Sequence, residues 1–231
     1  MFISRLSIIV SLNFQIMIGI RKAVTGHAFF EIKCRMRKKK GTRMFDHFNM
    51  VASIYDKVIR VYDHKQMCRL LDLPARVRLL DAGGGTGRVS QRLCPLVDQV
   101  VICDMSRAML RQAAMREKLN PVRARAERLP FADETFDRVL TVDALHHFHN
   151  QRQALADMVR VLKPGGRLVI EEPDKTRPFV KIVMLLEKLA LMRSHFLTSQ
   201  QIVKWLNGLG MTTYVENDGR FIFWVQGDKS Q

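Results

Sequence analysis

Cysteine is scarce in this 231-residue chain, and none of its four copies stands in a C-x-x-C pair. No histidine lies at zinc-like spacing from Cys34, Cys68, Cys94 or Cys103. A structural zinc site and a disulfide framework are therefore not expected, and no metal is assigned. The four side chains read as reduced thiols of a cytoplasmic protein. The chain also lacks the run of ~20 apolar residues that a membrane span requires. Its best candidate, Ile8 to Ile20, is interrupted by Ser11, Asn13, Gln15 and Gly19, and no small-residue cleavage site follows it.

Acids are few: 22 Asp and Glu face 38 Lys and Arg, for a net charge of +16. Such an excess points first to nucleic acid or an anionic membrane surface. Its distribution weakens that inference. Residues 1–43 hold ten basic side chains, including Lys38-Lys39-Lys40, against the single acid Glu31, so nine of the sixteen charges sit there. We read residues 1–43 as a basic, partly apolar tail outside the fold, and 44–231 as one domain.

Within 44–231, strand-like and helix-like segments alternate. Val77 to Asp81, Gln99 to Asp104, Pro121 to Ala126, Asp137 to Val142 and Arg167 to Glu171 read as buried strands. Ser106 to Leu119 and Gln151 to Leu162 carry helical apolar stripes, with Asn150 as an N-cap and Pro164-Gly165-Gly166 as a stop. Phe179 to Met192 is a further helix candidate, and Thr198-x-x-Gln201 resembles a capping box. Two final strands, Thr212 to Glu216 and Phe221 to Gln226, flank the hairpin signal Asn217-Asp218-Gly219. Met44 to Leu73 is expected to be helical. The fold class is therefore α/β: a Rossmann-like, doubly wound, mostly parallel seven-stranded sheet ending in an antiparallel hairpin, with helices on both faces.

Asp81-x-Gly83-x-Gly85-x-Gly87 follows a strand and precedes a helix, the context in which a glycine motif carries meaning. Glycines let the backbone turn sharply and approach a ligand closely. Asp104 ends the second strand, where an acid can accept hydrogen bonds from ribose hydroxyls. A dinucleotide fingerprint, G-x-G-x-x-G/A, fails: counted from Gly83 it ends on Arg88, and from Gly85 on Ser90. Asp81 has no place in that fingerprint either. It suits a cationic amino-acid head, so the pattern leans from a pyrophosphate toward a zwitterionic sulfonium ligand.

Four blocks carry a resemblance: Leu79 to Gly87, Val101 to Ser106, Ala126-Glu127-Arg128-Leu129-Pro130-Phe131 running into Phe136-Asp137, and Arg160 to Gly166. In this order and spacing the chain resembles the class I S-adenosylmethionine-dependent methyltransferases. It is nearest to the small-molecule type 11 subgroup and similar to the ubiquinone/menaquinone biosynthesis C-methyltransferases. The resemblance implies S-adenosyl-L-methionine as cofactor. Asp81, Gly83, Gly85 and Gly87 would hold its methionine part, Asp104 its ribose, and Met105, Ala126 and Glu127 its adenine. Val142 and Asp143 would lie beside the methionine moiety, and Tyr55 on the helix that closes over it. Arg125 stands where many relatives carry Asp, and Arg cannot accept a hydrogen bond from adenine. His146-His147 replaces the Arg-Asn pair usual in the quinone subgroup.

Methyl transfer from a sulfonium needs positioning more than a universal catalytic residue. A base helps when the acceptor must lose a proton, which makes His146 and His147 the candidate catalytic residues. The expected partners are a small, lipophilic or quinone-like acceptor and, through the tail, a weak membrane-surface contact. No specific nucleic acid is expected: Asp143-Ala144-Leu145-His146 stands where nucleic-acid amino-methylating enzymes often carry an Asn/Asp-Pro-Pro-Tyr motif. RNA or protein methylation and a nicotinamide-dependent oxidoreductase are the alternative readings.

Overall fold

A computed structural model describes residues 64–231, except 179, 182–183, 186–193 and 220. The tail 1–43, Cys34, Tyr55 and most of the expected helices Met44 to Leu73 and Phe179 to Met192 lie outside the described residues.

Seven strands form one sheet: β1 (Arg78–Ala82), β2 (Gln99–Asp104), β3 (Leu119–Arg123), β4 (Phe136–Val142), β5 (Leu162–Pro173), β6 (Met211–Asn217) and β7 (Ile222–Lys229). Their spatial order is β3-β2-β1-β4-β5-β7-β6. The pairs among β1 to β5 are parallel, and β7 runs antiparallel to both β5 and β6. The chain winds outward from β1 through β2 to β3, then returns to place β4 on the other side of β1. Such a reversal opens a crevice at the carboxyl ends of the two central strands, here after Ala82 and after Val142.

The central strands β1, β2, β4 and β5 bury consecutive residues on both faces, because helices cover both, whereas the edge strands β3 and β6 are more exposed. Leu79, Ile102, Leu140, Val169 and Trp224 join one core with Met67, Leu70 and Leu71 of α1 (His64–Leu71), with Leu93 of α2 (Ser90–Leu93) and with Leu110 and Ala113 of α3 (Arg107–Ala113). Leu80, Val139, Leu168, Ile170 and Val225 join the other with Leu155 and Met158 of α4 (Gln151–Val161) and with Ile202 and Leu206 of α5 (Ser199–Asn207). Neighbours such as Leu79 and Leu80 thus point to opposite cores, and both are fully buried. Burying one such side chain stabilises the fold by about 2 kcal/mol.

The end signals act as their chemistry predicts. Ser106, Asn150 and Thr198 cap α3, α4 and α5 through their side-chain oxygens, and Thr198 with Gln201 completes a capping box. Gly219 takes φ +71° in the β6–β7 turn, and Asp218 Oδ1 accepts from the Phe221 and Ile222 amides.

Several boundaries differ from the sequence reading, among them the ends of β3 at Arg123 rather than Ala126 and of β7 at Lys229 rather than Gln226, and three others carry a structural reason. The helix from Ser106 stops at Ala113, and a turn with Lys118 at φ +62° leads into β3. That strand consequently starts at Leu119, two residues before the expected Pro121, and pairs Leu119 with Val100. Register decides this, because Leu119 is buried beneath the glycine loop, where its Cδ1 fills the space a Cβ on Gly87 would need. The third difference is at β5, which begins at Leu162 and takes in Pro164-Gly165-Gly166. Leu162 pairs with Phe136 ahead of a register shift. Cys68, Cys94 and Cys103 are free thiols.

Candidate functional site

The loop after β1 is built for close approach. Gly83, Gly85 and Gly87 have φ of +80°, +55° and +75°, a region that side-chain-bearing residues rarely occupy. At Gly83 space is a second constraint: a Cβ there would lie 2.7 Å from the Ala144 Cβ in the loop after β4. The two loops flanking the crevice therefore touch through a glycine.

Asp81 lies beneath this loop, 1% exposed. Its Oδ2 accepts from Ser90 Oγ at 2.6 Å. Its Oδ1 is buried with no hydrogen-bond partner. Burial pushes the carboxyl up to about 6, against the lowering effect of the Ser90 bond. A cationic ligand group at Oδ1 would complete the shell and further favour the ionised form.

Asp104, at the end of β2, ties the loop to the sheet. Its Oδ2 accepts from the Gly85 amide at 3.0 Å and its Oδ1 from the Ser106 amide at 2.7 Å. A carboxylate at this position is of the kind that accepts from ribose hydroxyls. Met105 follows, 45% exposed, and Ala126 is buried. Glu127 is held by protein groups. Its Oε1 accepts from the Asn150 amide at 3.1 Å, and its Oε2 lies 3.4 Å from Arg125 Nε. Burial alone would raise this carboxyl, but bonds from the Asn150 and Glu127 amides and from Arg125 hold it below the usual range. Arg125 thus serves Glu127.

After β4, Val142 is half-buried, and Asp143 takes φ +51° with its amide donating to the Glu171 carbonyl at 3.0 Å. A non-glycine residue held there is strained. A short 3-10 turn, Leu145–His147, carries both histidines. His146 is buried, with Nδ1 2.7 Å from Glu172 Oε2 and Nε2 4.0 Å from Asp143 Oδ1, and its ring stacks on Phe196 with centroids 4.3 Å apart. His147 is less buried, and its Nδ1 lies 3.3 Å from Ser194 Oγ. Burial, and then the neighbouring His146, push its pKa well below the ordinary range. It is neutral at neutral pH, able to accept a proton.

The structure gathers Asp81, the three glycines, Asp104, Met105, Val142, Asp143 and the histidines at the carboxyl ends of β1, β2 and β4. Ser90, Glu171 and Glu172 escaped the sequence reading. Two consecutive acids ending an apolar strand were the available signal for the glutamates. Among the described residues no cluster of metal-ligating side chains occurs, and no helix is long and apolar enough to cross a membrane.

Comparison with known proteins agrees with this geometry. A family described as a methyltransferase domain matches residues 80–170. The ubiquinone/menaquinone biosynthesis C-methyltransferase of Coxiella burnetii is 41% identical over 108 residues, covering 42% of this chain and 43% of the relative. The demethylmenaquinone methyltransferase of Tropheryma whipplei is 36% identical over 143 residues, covering 58% and 60%. The chain thus spans about half the length of the curated relatives it matches. Among solved structures, a methyltransferase from Thermotoga maritima superposes with a TM-score of 0.64 at 20% identity, over 79% of this chain and 98% of that one. Together with the glycine loop and its two acids, these matches make the chain similar to the class I S-adenosylmethionine-dependent methyltransferases, with residues 80–170 matching a methyltransferase domain and the relatives named above acting in quinone biosynthesis.

Proposed function

We propose that this protein transfers a methyl group from S-adenosylmethionine to a small lipophilic acceptor of the hydroquinone class. The observation that carries the cofactor half is the orphaned Asp81 Oδ1, buried under a loop of left-handed glycines. An ammonium group fits there, and a pyrophosphate would be repelled. When bound, S-adenosylmethionine supplies an electrophilic methyl on a sulfonium whose leaving group is neutral. The chain's own residues bind and orient. Asp81 takes the ammonium, Asp104 the ribose hydroxyls, and Met105 with Ala126 flanks the adenine. Glu127 steadies the adenine edge by fixing Asn150. Val142 and Asp143 border the methionine moiety, and Tyr55 would be a further cofactor residue.

The acceptor half rests on the two quinone-pathway relatives and on simple reactivity. A quinone ring is electron-poor, whereas its reduced hydroquinone offers a nucleophilic carbon. Loss of a hydroxyl proton raises that nucleophilicity further, and His147, neutral but a weakened base, is the side chain we assign to receive it. His146, held by Glu172, positions its neighbour. The basic residues 1–43 would give a weak contact with a membrane surface, where such acceptors partition.

Anaerobic incubation with methyl-labelled cofactor and 2-prenyl-1,4-naphthohydroquinone tests the reading. Label should enter the ring carbon with the native protein and not with D81A. Labelling of RNA or protein in a cell extract, with none in the hydroquinone, would replace it.

A further inference from the structure

Glu171 is 2% exposed, and its Oε2 is buried without a hydrogen-bond partner. It stands near the carboxyl end of β5, beside Val142 of β4 and Trp224 of β7 in the sheet register. Its carbonyl holds the strained Asp143 in place. Glu172, next in sequence, points to the opposite face of the sheet and is consumed by His146 and by the Ala144 and Leu145 amides. The charged groups that Glu171 feels are Asp143, Arg88, Glu172 and Asp218. Burial, followed by Asp143, pushes its carboxyl up to about 9, so it is a neutral acid at neutral pH. An unpaired buried polar atom is costly, and in native structures each one calls for an explanation, a functional role among them.

The geometry points to Glu171 as an acceptor-binding residue: its buried carboxyl group exchanges a hydrogen bond with a hydroxyl of the acceptor ring. This deepens the hydroquinone reading and rests on it. A hydroquinone hydroxyl both donates and accepts, as a neutral carboxyl does. Asp81 supplies the negative charge that the cofactor's ammonium needs, and Glu171 supplies an uncharged polar contact one strand beyond Asp143. The two carboxyls thus divide by charge state between a cationic and a neutral ligand. A site built this way discriminates strongly against analogues lacking the hydroxyl.

The test is a binding titration of the full chain saturated with S-adenosylhomocysteine, read by quenching of tryptophan fluorescence under anaerobic conditions. The probes are 2-prenyl-1,4-naphthohydroquinone and its dimethyl ether, which has no hydroxyl. The native protein should bind the hydroquinone about tenfold or more tightly than the ether. Glu171→Leu should weaken hydroquinone binding to the ether's level, while Glu171→Gln, which keeps a donor and an acceptor, stays within about threefold of native. S-adenosylhomocysteine affinity should be unchanged in all three proteins. If Glu171→Leu does not fold, Glu171→Met replaces it, and the comparison of hydroquinone with ether in the native protein stands alone. Equal hydroquinone binding by native and apolar variants, or equal binding of both probes by the native protein, overturns the assignment of Glu171 alone. Absence of hydroquinone binding by a protein that still binds S-adenosylhomocysteine overturns the hydroquinone reading with it.

Discussion

His146 Nδ1 lies 2.7 Å from Glu172 Oε2, and both side chains are nearly inaccessible to solvent. The other oxygen of Glu172 accepts from the Ala144 and Leu145 amides. One carboxylate therefore organises the whole turn after β4. Removing Glu172 would take this acceptor from the two buried amides, at about 1–3 kcal/mol each. Glu172→Ala should accordingly lower the thermal midpoint sharply and weaken acceptor use. The check is differential scanning calorimetry beside steady-state kinetics.

His147 gives a separable prediction. Its depressed pKa means no ionisation of His147 should appear in the rate profile between pH 6.5 and 8. His147→Gln should lower kcat by about 100-fold, within the range for a general base, with S-adenosylhomocysteine affinity unchanged. A kcat within twofold of native would remove His147 from the mechanism.

Glu171 makes stability depend on pH in a defined direction. Its folded pKa, about 9, is raised above the unbound carboxyl's 4.5. A raised carboxyl favours the folded state in acid, and that contribution is lost as pH climbs from 4.5 through 9. The unliganded Glu171→Gln variant carries no such ionisation. Its melting temperature should gain on the native protein's steadily between pH 5 and 9. Parallel melting curves across that window would contradict the burial of an unpaired acid.

Gly83→Ala tests the contact between the two crevice loops. The new methyl would need a left-handed backbone and would sit 2.7 Å from the Ala144 Cβ. The combined strain is on the order of 3 kcal/mol, and cofactor affinity should fall with it. Gly219→Ala, where no atom lies within 4 Å of the added Cβ, carries the backbone strain alone and should leave cofactor binding intact. Both are read by melting temperature and titration.

Much of this architecture was legible from local chemistry. Strand β2 runs from Gln99 to Asp104 as its β-branched pattern indicates, and the caps at Asn150 and Thr198 are side-chain effects written in sequence. What escaped was set by partners distant along the chain. The end of α3 has no proline or glycine to mark it. It ends where Leu119 must begin pairing with Val100. Arg125 reads as a lost adenine contact until Glu127 is seen beside it. Glu171 and Glu172 look alike in sequence. The alternation of β5 sends one to His146 and leaves the other unpartnered beside Asp143.

Isothermal calorimetry with S-adenosylhomocysteine and, separately, with NAD tests the central claim most directly. The account predicts saturable one-to-one binding of S-adenosylhomocysteine, weakened about tenfold or more by Asp81→Ala through loss of a charge-assisted bond, and no binding of NAD. Saturable NAD binding without S-adenosylhomocysteine binding would contradict it.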